Sequence, residues 1–340
     1  MSMSSRKVHD VKGSYIVYLP KNWALKYGIN KSREIKLEEL VDGSLILSPS
    51  EHSLNPYKTS STFMIDLNRQ EFPIKWDYIT NLIIGAYIVG VDQIIIQNKD
   101  GLTTKQREEV SNLLRNLFGF EIDEETPEKI QINSIGETTE SPKVLLLRTF
   151  SVLKLMFIAT KSVINSQDEN EINAIVRRDD DIDRFRLLIE RQTHRFLINP
   201  ILSLKAGIGL IEALHISQIV KFAERLADHI VLLAEKIKEL PKGFPKNILI
   251  DAFDNTEYIF NSTLDLVTSK DLEKGYSVLD GRTSILDKWK SDKYLSRQAT
   301  EVSNLFVHLE RILDYCSDII EIIIDSDIFS EIDYPSSETN

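Results

Sequence analysis

From Lys143 to about Asp327 the apolar positions recur at three- and four-residue spacing, as in Val144, Leu147, Phe150, Leu153 and Phe157 and again in Ile219, Phe222, Leu226, Ile230 and Leu233. Such spacing lines one face of an α-helix. The run is interrupted at Asn199-Pro200, at Pro241-Lys-Gly-Phe-Pro245 and around Lys270. Long helices joined by short connections pack as an antiparallel bundle, and the chain after Asp327 is expected to fray.

Upstream the period changes. Thr62 to Leu67, Gln93 to Gln97 and Lys129 to Asn133 are short β-rich runs, and Trp76 to Val89 and Thr104 to Phe118 are helical. Thr103 stands three residues before Gln106, the spacing of a capping box, and Gly119 closes that helix. The order β-α-β-α-β predicts a small α/β domain. Glu121 to Glu128 (EIDEETPE) is predicted to be a solvated acidic loop. Neither a G-x-x-x-x-G-K-[ST] nor a G-x-G-x-x-G phosphate loop occurs.

The first 50 residues predict a hairpin, a helix and a second hairpin. Tyr15 to Leu19 is β-branched and aromatic and stops at Pro20, with Gly13 marking the turn before it. Lys21 to Tyr27 has room for two helical turns and ends at Gly28. Glu34 to Leu40 and Ser44 to Leu47 flank Asp42-Gly43, a favoured hairpin dipeptide. A module of this size buries too little surface to be comfortable alone, so dimerisation through intertwined strands is expected. The fold class is thus multidomain α+β: a β-hairpin module over residues 1–52, a small α/β domain over 60–137, an all-α region over 141–327, and a flexible tail over 328–340.

The 340 residues, 42 % hydrophobic and 27 % charged, have the composition of a soluble globular protein. The longest apolar stretch, Leu82 to Val91, is too short to span a bilayer, and the N-terminus lacks the apolar core of a secretory signal. The single cysteine, Cys316, excludes an internal disulfide and a cysteine-based zinc site. A cytoplasmic location is expected. Charge is uneven: up to Arg33 seven basic residues face Asp10 alone, a net +6 in a chain whose total is −11. A basic head on an acidic body suggests two jobs, the alternative being a solvated lysine face.

Residues 223–235 (AERLADHIVLLAE) align with 309–321 (LERILDYCSDIIE) at an offset of 86, matching Glu, Arg, Asp and Glu. Duplication of a three-helix unit is implied. Each copy carries two acids four apart, Glu224 with Asp228 and Glu310 with Asp314, which places both carboxylates on one helix face. The surrounding helix is apolar nearly all round, so ionised carboxylates there need protons or a cation. Asp179 and Asp183 form a third pair, which antiparallel packing would set opposite Glu224 and Asp228. Facing carboxylates suit a hard cation such as iron, manganese or magnesium. A buried acid–arginine network is the other reading.

Two family resemblances follow. Ser14-Tyr-Ile-Val-Tyr-Leu-Pro20, Trp23, Leu25, Tyr27-Gly28-Ile29 and Asp42-Gly43-Ser44-Leu45-Ile46-Leu47 resemble the SpoVT/AbrB swapped-hairpin DNA-binding domains. The departure is Lys31-Ser32-Arg33-Glu34, where that family has a glycine–acid pair. The resemblance implies a homodimer with DNA facing Arg6, Lys7 and Lys12; dimerisation without DNA is the alternative. The three acid pairs look like the repeated E/D-x-x-x-D motif of the PhoU family, implying two three-helix bundles, regulation of phosphate uptake, metal held by the carboxylates, and transporter or sensor proteins as partners. Iron is the metal this resemblance favours, with zinc, manganese and magnesium also compatible. The fourth motif is degraded, because Asp280 is followed by Ser284 and Asp287 is preceded by Thr283. Together the two modules resemble archaeal phosphate uptake regulators. No enzyme is expected: His229 and His308 are out of step with the Glu-x-x-His of ferritin-type di-iron centres.

Overall fold

In a computed structural model, residues 7–30, 34–39, 45–49, 61–69, 75–136, 140–240, 246–269, 271–291 and 300–332 are described. Arg6, the two turns at Lys31-Ser32-Arg33 and Asp42-Gly43, the Pro241–Pro245 break and Lys270 lie outside them. The chain divides into two units, Met1–Ser61 and Thr62–Asn340.

In the first unit β1 (Val8–Val11) pairs antiparallel with β2 (Ser14–Val17), α1 follows (Lys21–Lys26), and β3 (Ile35–Glu39) pairs antiparallel with β4 (Leu45–Pro49). Lys12 and Gly13 both have positive φ, 54° and 82°, as the two-residue turn of a tightly twisted hairpin requires. Gly28 (φ 60°) ends α1 in the left-handed conformation expected of it. No described side chain of this unit is buried: Tyr15 is 79 %, Leu25 70 % and Leu37 63 % exposed. Trp23 is only half-buried beside Tyr27, because so short a segment has no second layer to cover it.

The second unit begins with a four-stranded sheet. Its strands are β5 (Thr62–Asp66), β6 (Gln93–Gln97), β7 (Phe120–Glu125) and β8 (Lys129–Ser134), in the order β5-β6-β8-β7. β5 and β6 are parallel and the other pairs antiparallel. Two helices cover it, α2 (Ile79–Ile88), entered by a 3-10 turn at Trp76–Tyr78, and α3 (Thr104–Leu114). The capping box closes α3 as its spacing demands, Thr103 Oγ1 accepting from Gln106 N and Gln106 Oε1 accepting from Thr103 N.

The acidic stretch after Phe120 is not a solvated loop throughout. Residues 120–125 form β7, an edge strand in which Phe120 is buried, Ile122 packs against the core, and the acids face out. An edge strand tolerates such charge, and here it is paired: Lys129 Nζ lies 2.7 Å from Glu124 and Arg107 2.8 Å from Glu125. The domain is therefore β-α-β-α-β-β.

The helices that follow are α4 (Pro142–Ser166), α5 (Glu169–Ile198), the short α6 (Pro200–Lys205), α7 (Leu210–Lys238), α8 (Lys246–Ser269), α9 (Leu272–Ser291) and α10 (Thr300–Glu331). Helix α10 continues four residues past the expected start of fraying. Helices α4, α5 and α7 pack on one another, α8, α9 and α10 do likewise, and α7 and α10 meet along the seam between the two groups. Ser141 and Asp168 cap α4 and α5 with side-chain oxygens. Phe157 of α4 stacks on Phe260 of α8 at 4.1 Å between ring centres, tying the groups together deep in the core. Buried Thr149, Thr160, Thr193, Thr256 and Thr263 each return their hydroxyl to the carbonyl four residues back, so they enter the core without an orphaned donor.

Helix α5 also belongs to the neighbouring α/β layer, since Leu187 is buried among Ile79, Ile83 and Phe120. Arg191 reaches into that layer, donating to the Tyr87 carbonyl oxygen at 2.6 Å and lying over the rings of Tyr87 and Phe120. Gly90 (φ 89°) passes so close to Arg195 that a Cβ there would stand 2.9 Å from its Cγ. Among the described residues no helix is long and apolar enough to cross a membrane.

Candidate carboxylate site

Helix α5 presents Asp179, Asp183, Arg186 and Glu190 at steps of four, three and four, one continuous stripe. Helix α7 packs against it and brings Glu224 and Asp228. Arg186 stands in the middle. Its Nη1 is 3.0 Å from Glu190 Oε1, its Nε 3.4 Å from Glu224 Oε1 and its Nη2 3.7 Å from Asp183 Oδ1. Glu190 is only 4 % exposed and also meets Lys221 at 3.7 Å.

Five carboxylates thus share Arg186 and Lys221, with Arg225 at the edge acting on Glu224 and Asp228 through space. The surplus is negative, and it shows in the proton affinities. Burial first, then the charges of Asp228, Asp183 and Glu224, pushes Asp179 up to about 7. Burial likewise raises Glu224 to about 7, against the pull of Arg186. Asp183 and Asp228 are raised as well, burial again leading. Asp179 Oδ1 is buried with no hydrogen-bond partner. At neutral pH such a cluster retains protons or accepts a cation.

The structure brings Asp179, Asp183, Glu224 and Asp228 together, as antiparallel packing of α5 and α7 demands. It also adds what the acid spacing did not disclose, namely Arg186 and Glu190. The signal for Arg186 was present, because a residue three after Asp183 falls on the same face. Among the described residues, no three His, Cys, Asp or Glu side chains are close enough to share one metal ion. The donors fit a hard cation in kind, all oxygen, with one orphaned atom; Arg186 now supplies the positive charge such an ion would bring.

Glu310 and Asp314 on α10 are placed differently. Asp314 takes a hydrogen bond from Arg282 of α9 and lies 3.6 Å from Arg311. Glu310 lines a groove with Trp289 and Lys290. Asp318, one turn on, is raised by burial and then by Glu321 and Asp314. Where α5 offers acids to its partner helix, α9 offers Arg282, so Asp314 already has arginine beside it.

His229 and His308 meet across the α7–α10 seam, Nδ1 to Nδ1 at 3.0 Å. One nitrogen must carry the proton and the other accept it. Burial, then His308 and Arg311, hold His229 down at about 4, and burial then Lys236 lowers His308, so the pair is neutral at pH 7. Neither is a donor to the acid stripe. Cys316 is fully buried and its thiol is pushed up to about 12, an inert packing group. Lys7 and Lys12 are exposed on the first hairpin.

A first test concerns Asp179. Replacing it with Asn removes one repelling charge and keeps the shape, so in chelator-treated protein the melting temperature at pH 7.5 should rise by a few degrees and be unchanged near pH 5. A fall at pH 7.5, read by scanning calorimetry, would show that the cluster is not under repulsion.

Residues 146–237 match the family model described as PhoU domain. That span contains the whole stripe from Asp179 to Asp228. A curated relative, the phosphate-specific transport system accessory protein PhoU homolog of Clostridium acetobutylicum, is 26 % identical over 192 residues, 52 % of this chain and 86 % of the relative. Two solved structures are similar: PhoU from Pseudomonas aeruginosa, with a TM-score of 0.44 and 18 % identity over 54 % of this chain and 93 % of that one, and the phosphate transport system regulatory protein PhoU from Streptococcus pneumoniae, with 0.45 and 16 % over 56 % and 96 %. The helical region of this chain is PhoU-like.

Proposed function

We propose that this chain is a regulator of phosphate transport that acts by binding other proteins, with its PhoU-like helices as the working part. The observation that carries the reading is the domain match over the helices that hold the carboxylate stripe, together with a relative named as an accessory protein of phosphate-specific transport. The role is regulatory, with no catalytic residue assigned. Phosphate-transporter or sensor proteins are the partners this implies. Co-purification of the tagged chain with a phosphate transporter's ATPase subunit, lost when phosphate is abundant or when the helical region is removed, tests it; no association in either phosphate state would refute it.

A hard cation fits the reading. Asp179, Asp183, Glu224 and Asp228 would hold it, iron, manganese, magnesium or zinc being the candidates, and the ion would discharge the cluster in place of Arg186. Glu310 and Asp314 are not included, because Asp314 already has Arg282 and Arg311 beside it.

The first unit supports a second reading, in which the protein is a dimer that binds DNA directly. Its exposed apolar strands call for a second copy, and Lys7 and Lys12 lie on the first hairpin with Arg6 just before it. Phosphate contacts of this kind give affinity that falls steeply with salt. In a gel shift with genomic fragments upstream of phosphate-transport genes, Lys7→Glu with Lys12→Glu should abolish a salt-sensitive complex. If wild type gives no complex, or the variant gives the same one, the hairpin module serves dimerisation only.

A further inference from the structure

Helix α4 leaves an apolar stripe uncovered. Its Val144, Leu147, Leu155 and Ile158 are between 42 and 62 % exposed, and among the described residues no other helix leaves so many large aliphatic side chains open. At about 100° per residue these four and Ser151 fall within an arc of about 80°. Charge stays outside it: Lys143, Arg148, Lys154 and Lys161 flank the arc, and the helix carries no acid.

The stripe has the same order in either direction. Counted from Ser151, Leu147 and Leu155 stand four residues before and after, Val144 and Ile158 seven, and Arg148 and Lys154 three. An antiparallel copy of the helix, related by a two-fold axis at Ser151, therefore meets it in layers: serine on serine, Leu147 on the copy's Leu155, Val144 on the copy's Ile158. Contacts between identical surfaces require such self-complementarity, and a partner of unrelated sequence does not. The centre allows close approach, because Ser151 is small and its hydroxyl already donates to the Leu147 carbonyl oxygen at 2.9 Å, so covering it strands no donor. Flanking charge does not oppose the pairing. Arg148 is matched within its own chain by Glu140 at 2.7 Å and Lys161 by Asp254 at 2.7 Å. The Lys154 stem can lie along the copy's Leu147 with its ammonium in water.

We propose that the outer face of α4 is a contact surface for a second copy of this chain, the two helices meeting antiparallel at Ser151. The surface is separate from the hairpin module and from the carboxylate stripe on α5 and α7, and it does not depend on the function proposed above. Four half-covered aliphatic side chains from each copy bury less than the roughly 1,200 Å² of a stable interface. The contact is therefore weak alone and forms at submillimolar rather than micromolar concentration. Its effect is to set two PhoU-like helical regions side by side once they are near each other.

Disulfide trapping in the full chain tests it. Facing Cα atoms on helices with axes about 8–10 Å apart stand roughly 4–5 Å from each other, within reach of a disulfide. With diamide at submillimolar protein, Ser151→Cys should form a covalent dimer at least tenfold faster than Asn165→Cys. Position 165 lies on the same exposed face, but in the two-fold arrangement it stands about 40 Å from its mate. Cys316 is fully buried and takes no part. Both variants also carry Leu37→Asp and Leu47→Asp, so that pairing through the hairpin module cannot supply the dimer. Adding Leu147→Glu and Leu155→Glu should abolish the Ser151→Cys product while leaving helical circular dichroism unchanged. Equal rates at 151 and 165, or a product indifferent to the two glutamates, would overturn the proposal and leave the stripe to a partner of different sequence.

Discussion

Replacing Arg186 with Met should lower the stability of the chelator-treated protein by about 2–3 kcal/mol at pH 8, and by much less at pH 5. Removing one partner of a buried ionic network leaves uncompensated charge, at a cost of about 3–5 kcal/mol when burial is complete. Asp183 and Asp228 are partly open to water, which screens part of it. The pH dependence has a definite sign. Asp179 and Glu224 sit near 7 in the folded protein against 3.8 and 4.5 ordinarily, so between about pH 4 and 7 the native state binds more protons than the unfolded one. Stability therefore falls as pH rises through that window. Without Arg186 the fall should be steeper, because protonated carboxyls no longer need the cation and ionised ones need it most. Arg186→Lys should recover most of the loss. A hard cation offers a second rescue: manganese should raise the melting temperature of Arg186→Met more than that of wild type, since it takes the place of the missing charge. Equal losses at pH 5 and pH 8 would mean that Arg186 acts through packing alone, and the charge argument would fail.

Opposite signs at neighbouring positions make the pair of substitutions informative. Asp179→Asn relieves repulsion and Arg186→Met aggravates it, although both remove a charge from the same stripe on α5. A merely structural role for the stripe predicts that both destabilise. A double variant should lie between the two singles and show a coupling energy, because the residues share partners.

Much of this was legible in the sequence because helical periodicity is a long-range signal carried by many residues. Breaks at Asn199-Pro200 and the capping box at Thr103 are local chemistry that tertiary packing did not override. β7 was missed for the opposite reason. Only Phe120 and Ile122 mark its inward face, and the acids around them look like a loop until Lys129, Arg107 and the edge position are known. The acid stripe could be placed on one face, with four of its carboxylates, but its counter-charge does not come chiefly from Arg225, the arginine next to Glu224 in sequence. Arg225 instead lies exposed over the Phe222 ring. Arg186, three residues after Asp183 on α5, does the neutralising, and its reach across to Glu224 on α7 is what spacing along one helix cannot show.

Dimerisation carries the other large expected effect, and it should be all but lost when Leu37 and Leu47 are both replaced by Asp. These residues are direct cross-strand partners on β3 and β4, and both are exposed, at 63 % and 43 %. Ile35 and Leu45, each two residues from one of these leucines, lie on the same face of the hairpin, with Glu39 opposite Leu45. Such a face, in a unit with no buried described side chain, is stabilised only if something covers it, and a second copy of the same module presents a matching surface. Burying a leucine fully is worth about 1.5–3 kcal/mol. With Leu37 and Leu47 already partly covered, two leucines from each of two copies contribute about 3–6 kcal/mol, roughly a 10²- to 10⁴-fold change in the dissociation constant. Sedimentation equilibrium at micromolar concentration should find a dimer for wild type and a monomer for the variant. Helical circular dichroism should be unchanged, because the PhoU-like helices carry their own core around Phe157 and Phe260. A monomeric wild type would remove the case for a swapped or paired module, and with it the two-fold arrangement of Lys7 and Lys12 on which direct DNA binding rests.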